Sequence, residues 1–263
     1  MSTVEENLHG GVGLVHITKG NLEKIQIPLP PLEVQKEIVA EIEGYQKVID
    51  GARAVIDNYR PHIPIHPDWP MVELGELADI QLGKMLDRKK HTKGRLFPYL
   101  RNLSVRWGKI DTHNLPQMHF QESELDRFDL KAGDVVVCEG GSYPGRAAVW
   151  DGHIPNMKYQ KALHRVRFKI PFEPYLLVAY LRMIDGTSTL ESLFSGSTIK
   201  HLTRVSFSKM RIPHPPMATQ QAIVADIEAE QSLVAANREL IERMEKKIQA
   251  AIARVWGEEK GDD

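Results

Sequence analysis

A gapless internal repeat constrains this chain more than any other feature of its sequence. Leu22 to Glu43 reads LEKIQIPLPPLEVQKEIVAEIE, and Phe207 to Glu228 reads FSKMRIPHPPMATQQAIVADIE. At a constant offset of 185 residues the two agree at 11 of 22 positions. The shared residues include the prolines Pro28/Pro213, Pro30/Pro215 and Pro31/Pro216, the glutamines Gln35/Gln220, and the run Ile38-Val39-Ala40 against Ile223-Val224-Ala225. The match extends upstream through His16/His201 and Thr18/Thr203. Self-similarity at a fixed offset marks a duplicated structural unit. In each copy a short β-like run, Ile25 to Ile27 or Met210 to Ile212, meets a proline cluster. Proline fixes φ, removes an N–H donor and keeps its predecessor out of the α region, so an extended run stops there.

A long helical pattern follows each cluster. After the first, Ile38, Ile42, Tyr45, Ile49, Ala52, Ile56 and Tyr59 recur at alternating spacings of four and three. After the second, Ile223, Ile227, Glu230, Val234, Asn237, Ile241, Met244, Ile248, Ala251 and Val255 do the same. That is a heptad seam, the pattern of helices packed as a coiled coil. It predicts one helix from about Leu32 to Tyr59, stopped by Pro61, and another from about Met217 to Trp256, stopped by Gly257. At about 1.5 Å per residue these are rods of roughly 40 and 60 Å. Neither is stable alone in water with such a stripe exposed. They must pair with each other, with a second copy, or with a partner protein. Glu230 and Asn237 fall on the seam, where a polar residue sets register or marks a solvated turn; both readings stand.

Between the rods, from about His66 to Ser206, the patterns are short and mixed. Val72 to Leu82 reads as a short helix or strand entry closing on Gly83. Phe97 to Leu100, Val135 to Cys138, Ala147 to Trp150 and His164 to Phe168 read as strands. Glu173 to Met183 reads as a helix with Tyr175, Leu176, Ala179, Tyr180 and Met183 on one face. The expectation is an α+β domain inserted between two rods. Charge separates it from its flanks. Residues 65–210 hold 21 Lys and Arg against 16 Asp and Glu, while the remainder holds 13 against 19. A basic middle within a chain of net charge −1 permits contact with phosphates there.

Other chemistry is hard to find. The single cysteine, Cys138, excludes an intrachain disulfide and a Cys-rich zinc site, and fits a reducing cytoplasm. No apolar run approaches the roughly 20 residues that span a bilayer. Met1 to Asn7 is acidic and unlike a signal peptide. The 11 histidines show no His-x-x-x-His helix and no Cys–His pairing, so no metal is expected. No Gly-x-Gly-x-x-Gly opens a helix after a strand. Asn-Pro-Pro-Tyr-like catalytic tetrapeptides are absent, and Asp134 and Glu139 lead into Gly140-Gly141 rather than a nuclease lysine. Gly140 to Arg146 superficially resembles a nucleotide-binding loop but lacks its Lys-Ser/Thr ending.

Taken together, the residues resemble the specificity (S) subunit of type I restriction–modification systems over nearly the whole length. The twin Ile-Pro-x-Pro-Pro-x-x-x-Gln-x-x-Ile-Val units carry the resemblance. So do WPMVELGELADIQLG (Trp69 to Gly83), PYLRNLSVRWGKID (Pro98 to Asp111) and LKAGDVVVCEGGSYPGRAAVW (Leu130 to Trp150). QKALHRVR (Gln160 to Arg167) and SGSTIKHL (Ser195 to Leu202) complete it. The family's subunit holds two target-recognition domains separated by an antiparallel pair of helices. Each domain reads one half of a bipartite DNA site, two methyltransferase subunits grip the helices, and motor-nuclease subunits join them. This chain departs from that plan, with both helices but one recognition domain. It resembles the C-terminal half of such a subunit, or a half subunit whose pairing into a homodimer rebuilds a two-domain reader. The resemblance implies an α+β fold, one mixed target-recognition domain flanked by two long helices forming an antiparallel coiled coil. The expected divisions are a remnant of a preceding recognition domain (1–31), the first helix (32–60), the recognition domain (61–216), the second helix (217–257) and a disordered tail (258–263). It implies no cofactor on this chain, with S-adenosylmethionine, ATP and Mg on partner subunits.

Duplex recognition needs cations for phosphates and forked donors for base edges. The candidates are a basic loop of Lys84, Arg88, Lys89, Lys90 and Lys93; Arg101, Asn102 and Arg106 beside Trp107; Ser142, Tyr143 and Arg146 of the glycine turn; and Lys158, Lys161 and Lys200. For each, a structural or merely solvated role is the alternative. The function expected is non-catalytic DNA reading that positions methyltransferase and restriction subunits. A truncated scaffold without DNA binding, and a nuclease or methyltransferase with unfamiliar motifs, remain as competing readings.

Overall fold

The computed structural model describes residues 16–86 and 94–256; the expected tail at 258–263 lies outside them. Among the described residues the helices are α1 (Lys19–Leu22), α2 (Leu32–Asn58), α3 (Leu74–Leu77), α4 (Pro174–Met183), α5 (Ser188–Glu191), α6 (Arg204–Ser208) and α7 (Met217–Trp256). The strands are β1 (Met71–Glu73), β2 (Ala78–Leu82), β3 (Arg95–Leu100), β4 (Val105–Arg106), β5 (Lys109–Ile110), β6 (Gln117–Phe120) and β7 (Val135–Cys138). They continue with β8 (Ala147–Val149), β9 (Lys158–Tyr159), β10 (Leu163–Phe168), β11 (Phe194–Ser195), β12 (His201–Leu202) and β13 (Arg211–Pro213). The chain divides into two compact units, Met1–Tyr59 with Ser232–Asp263, and Arg60–Gln231.

In the first unit, α2 starts where the proline cluster ends. Pro31 caps it with an extended backbone, and the Gln35 side-chain amide donates to the Pro30 carbonyl at 2.7 Å. The heptad stripe is its sheltered face: Ile49 and Ala52 are buried, and Ile38, Ile42, Tyr45 and Ile56 are half-buried. Along the later part of α7, Val234, Asn237, Ile241, Met244 and Ile248 are half-buried and Ala251 is buried. Arg53 pairs with Glu245 at 3.2 Å, Arg254 with Glu41, and the Lys247 ammonium lies 5.4 Å from the Tyr45 ring centroid. Arg53, late in α2, thus meets Glu245, while Glu41, earlier in α2, meets Arg254 near the end of α7.

The second unit is built on the antiparallel sheet β2-β10-β7-β8. Side chains of a strand alternate between faces, and β7 shows the consequence. Val135 and Val137 enter one core with Leu176, Leu177 and Phe207, while Val136 and Cys138 enter another with Phe120, Trp150 and Tyr159. Helices cover the first face. The second sheet, β6-β3-β9, contributes to the other core, with β3 and β9 parallel. The four strands expected from β-branched content or alternation form, each within two residues of its expected bounds. β1, β6, β9 and the short hairpins were not anticipated, being too short for a period to show. α4 is buried on nearly all sides through Leu176, Leu177, Val178 and Leu181, whereas Tyr175, expected on its inner face, is exposed.

Two expectations about the repeat need correction. The run at 25–27 is not a strand, whereas its counterpart is β13, paired antiparallel with β1. Ile223 and Ile227, expected on the helix–helix seam, belong instead to the core of the second unit. Their burial carries the unit boundary into α7, between Gln231 and Ser232, rather than at the helix start.

Candidate nucleic-acid interface

Four loops of the second unit converge at one end of the main sheet, and backbone geometry explains why. The glycine turn 139–146 joins β7 to β8. Its Gly141 and Gly145 have φ of +86° and +88°, a region that residues with a Cβ rarely adopt. The Glu139 N–H donates to the Ala162 carbonyl at 2.9 Å, and the Glu139 carbonyl accepts from the Leu202 N–H. The loop before β10 and the β11–β12 hairpin are therefore tied to the same residue. The Asn102 amide donates to the Gly140 carbonyl at 2.7 Å, bringing in the 3-10 turn Asn102–Ser104. A Cβ on Gly140 would lie 2.7 Å from His201 Nδ1, so a larger residue would require the His201 ring to shift.

The exposed groups here include cations and an aromatic ring, beside the apolar Leu103 and Ile199. Arg101, Arg106 and Lys161 are exposed. Tyr143 is 63% exposed at the tip of the glycine turn. Lys109 was missed by sequence reasoning. It faces Arg106 across the β4–β5 hairpin, whose Trp107-Gly108 turn places Gly108 at φ +68°. The signal was present, since two residues ending in glycine between extended pairs specify such a hairpin. A cleft of about 190 Å³ lies alongside, lined by Trp107, Tyr143, Asp185, Glu191, Phe194 and Lys200 among others. Ser142 is exposed on its rim, and Lys200 pairs with Glu191.

Three expected DNA contacts are corrected by burial. Lys84 is 4% exposed; its ammonium donates to the His119 carbonyl at 3.0 Å and to the Glu124 carboxylate, 4.9 Å from the Phe120 ring centroid. Lys158 is 2% exposed, donating to the Leu125 carbonyl and to Asp129 at 2.9 and 2.8 Å. Both fasten the segment 119–129 from inside. Arg146 is buried, donates to the Val105 carbonyl at 3.2 Å, and lies 3.6 Å from the Tyr143 ring centroid, so it props the tyrosine instead of reaching outward. Arg88, Lys89, Lys90 and Lys93 lie outside the described residues.

Several buried polar groups surround the loops. Glu139 is 8% exposed with one carboxylate oxygen unpartnered, as is the Asn102 side-chain oxygen. The other Glu139 oxygen is 3.6 Å from His201 Nδ1. Burial holds His164 below its ordinary pKa, against the opposing effect of its bond to the Leu202 carbonyl at 2.7 Å. Burial pushes the Cys138 thiol up to about 12. Among the described residues no group of three or more His, Cys, Asp or Glu is placed to hold a metal, and no helix is long and apolar enough to cross a membrane.

Comparison with known proteins places this geometry. Residues 4–54 and 67–246 match the family model for the type I restriction modification DNA specificity domain. The type I restriction enzyme MjaVIII specificity subunit of Methanocaldococcus jannaschii is 25% identical over 275 residues, covering 90% of this chain and 63% of that one. The EcoKI specificity subunit of Escherichia coli is 22% identical over 279 residues, covering 95% and 58%. The chain thus spans about three fifths of the length of these relatives. Among solved structures, a chain from a type I R-M system described for its complex assembly and conformational transition superposes with a TM-score of 0.64 at 22% identity, over 93% of this chain and 64% of that one. The HsdS subunit of Thermoanaerobacter tengcongensis superposes at 0.51 and 22% identity, over 94% and 64%. These likenesses are of fold.

Proposed function

Since the chain belongs to the type I restriction modification DNA specificity family, we propose that it is a non-catalytic DNA-reading subunit whose recognition surface is the convergence of loops around Gly140. The carrying observation is that Arg101, Arg106, Lys109 and Lys161 are exposed on loops locked to one another through Asn102, Glu139 and Leu202. Arginine forks suit guanine edges and lysine supplies charge for phosphates, while the Asn102 amide is spent on the Gly140 carbonyl. Tyr143, backed by Arg146, offers a flat apolar face at the same surface.

The helices supply the second half of the reading. The crossed order of Arg53–Glu245 and Glu41–Arg254 supports an antiparallel coiled coil between α2 and the later part of α7. Apolar side chains stay exposed on both: Val34, Val48 and Val55 on one, Leu233 and Leu240 on the other. Exposed apolar side chains on a helical arm suit a protein partner, and methyltransferase subunits fit the role. S-adenosylmethionine chemistry then resides on that partner, and ATP and Mg chemistry on a motor-nuclease subunit. The recognition surface selects a half-site and the arm sets where methylation falls.

Titration of the purified chain with duplex DNA between roughly 50 and 200 mM salt tests the first half. The expected result is affinity falling linearly in log–log form, with a selectable sequence preference. Salt-insensitive or absent binding would overturn it. Co-expression with the methyltransferase, followed by genome-wide mapping of methylated adenine, tests the second; inverted-repeat sites would indicate paired chains.

A further inference from the structure

Leu103 and Ile199 stand among the cations of the recognition surface, 63% and 59% exposed. Neither phosphate contact nor hydrogen-bonded base reading uses an aliphatic side chain. Each sits in a turn whose backbone is pinned. Around Leu103, the Ser104 N–H donates to the Arg101 carbonyl at 2.8 Å and the Arg101 N–H to Ser104 Oγ at 3.3 Å. The Asp111 N–H donates to the Ser104 carbonyl at 2.7 Å. Ile199 lies in the turn between β11 and β12. There Gly196, at φ +92°, packs so closely that a Cβ on it would collide with the Ile199 carbonyl. Ser195 Oγ donates to the His201 carbonyl at 3.3 Å across the same hairpin. Neither turn can swing its side chain back to the core without breaking these contacts.

Both turns abut Gly140. Asn102, next to Leu103, donates to the Gly140 carbonyl, and a Cβ on Gly140 would lie 3.6 Å from the carbonyl of Lys200, next to Ile199. Arg101 and Arg106 are exposed on either side of Leu103, and Lys161 and Lys200 are exposed on the loops beside them. A lone exposed aliphatic is ordinary on a protein surface. Here two are held outward on a cationic face that suits a polyanion. Phosphates offer an aliphatic nothing. Base edges in the major groove present donors, acceptors and one apolar group, the C5-methyl of thymine. Base faces are apolar too, but reaching them costs the unstacking of a step. The methyl is the part of a duplex that a branched aliphatic meets without that cost.

We propose that Leu103 and Ile199 are specificity-determining residues that read thymine through its 5-methyl group, so that the selected site carries thymine at the positions they face. This rests on the reading of the surface as duplex-binding. The neighbouring cations hold the duplex in place, and the two aliphatics favour thymine over cytosine, which lacks the methyl.

The test starts from a duplex selected out of a random pool by the full chain. Each thymine is replaced in turn by deoxyuridine, which removes the methyl and leaves the pairing edge unchanged. Affinity is expected to fall about fourfold at one or more positions, the effect of one methyl-sized group losing its burial. In Leu103→Ala or Ile199→Ala the same replacement should fall silent at the matching position. Urea titration should find both variants as stable as the parent, because the side chains removed are exposed. A selected duplex free of thymine, uracil silent at every position, or a uracil loss undiminished in both variants would each sink the proposal while leaving DNA reading intact. Brightening of 2-aminopurine placed beside the contact, with uracil silent, would mark a wedge between bases and sink it equally. Absence of any duplex binding would remove the reading of the surface itself, and this inference with it.

Discussion

The cations of the recognition unit fall into two sets that look alike in sequence and differ in what surrounds them. Lys84, Lys158, Arg146 and Arg165 are at most 8% exposed and end on carbonyls or carboxylates. Arg101, Arg106, Lys109 and Lys161 stand in water at the loop end. A buried ammonium needs carboxylate and carbonyl oxygens in place of its hydration, as Asp129 and the Leu125 carbonyl supply for Lys158. The lesson is that basic residues near a glycine loop hold the loops in shape as often as they stand exposed on them.

Four measurements can break or sharpen that division. The largest effect is expected at Lys158, where replacement by alanine strands Asp129 and should cost about 3 kcal/mol of folding stability in urea titration. A stability unchanged within about 0.5 kcal/mol would move Lys158 out of the interior set. Next is Arg106→Ala, which should leave stability alone but weaken duplex binding. The loss is about 1–3 kcal/mol with relaxed sequence preference if it reads a base, or a salt slope reduced by about one if it meets a phosphate. An unaltered affinity and slope would strike it from the surface.

A weaker, pH-dependent effect comes from His164, which belongs to the interior as a neutral ring. Its folded pKa is depressed below the ordinary 6.5 by burial, so the unfolded chain binds the proton more readily. Its contribution is full above that value and is lost as pH falls through the folded pKa. Thermal melting from about pH 7.5 to about pH 5 should show declining stability, with the decline shallower in His164→Gln. Equal slopes would remove His164 as the cause. Smallest is Arg53→Ala on the helical arm: its pair with Glu245 is half exposed on both sides, and below 1 kcal/mol is expected by double-mutant cycle. A coupling well above that would mean that the pair is desolvated, against the exposure seen.

Much of the arm was legible beforehand, because a heptad spacing sustained over tens of residues leaves few alternatives. α2 and α7 begin and end within a residue of where the prolines, Pro61 and Gly257 place them. The central strand β7, Val135 to Cys138, was legible from its three consecutive β-branched valines. The asymmetry of the two repeats was not, since identical local chemistry at Ile27 and Ile212 meets different neighbours, and burial is a tertiary property. The fates of Lys84 and Arg146 were hidden for the same reason: a side chain's type does not say which way its loop turns. Lys109 was readable from the Trp107-Gly108 turn, had cross-strand pairing been drawn.

Cys138 has a practical consequence. It is 2% exposed on β7, and burial pushes its thiol up to about 12, which disfavours the reactive thiolate at neutral pH. Maleimide reagents will pass over the native sulfur. A cysteine introduced at Ser142, on the exposed rim of the glycine turn, would then carry a dye at one defined place in an otherwise natural molecule, and its emission would report occupancy of that rim directly.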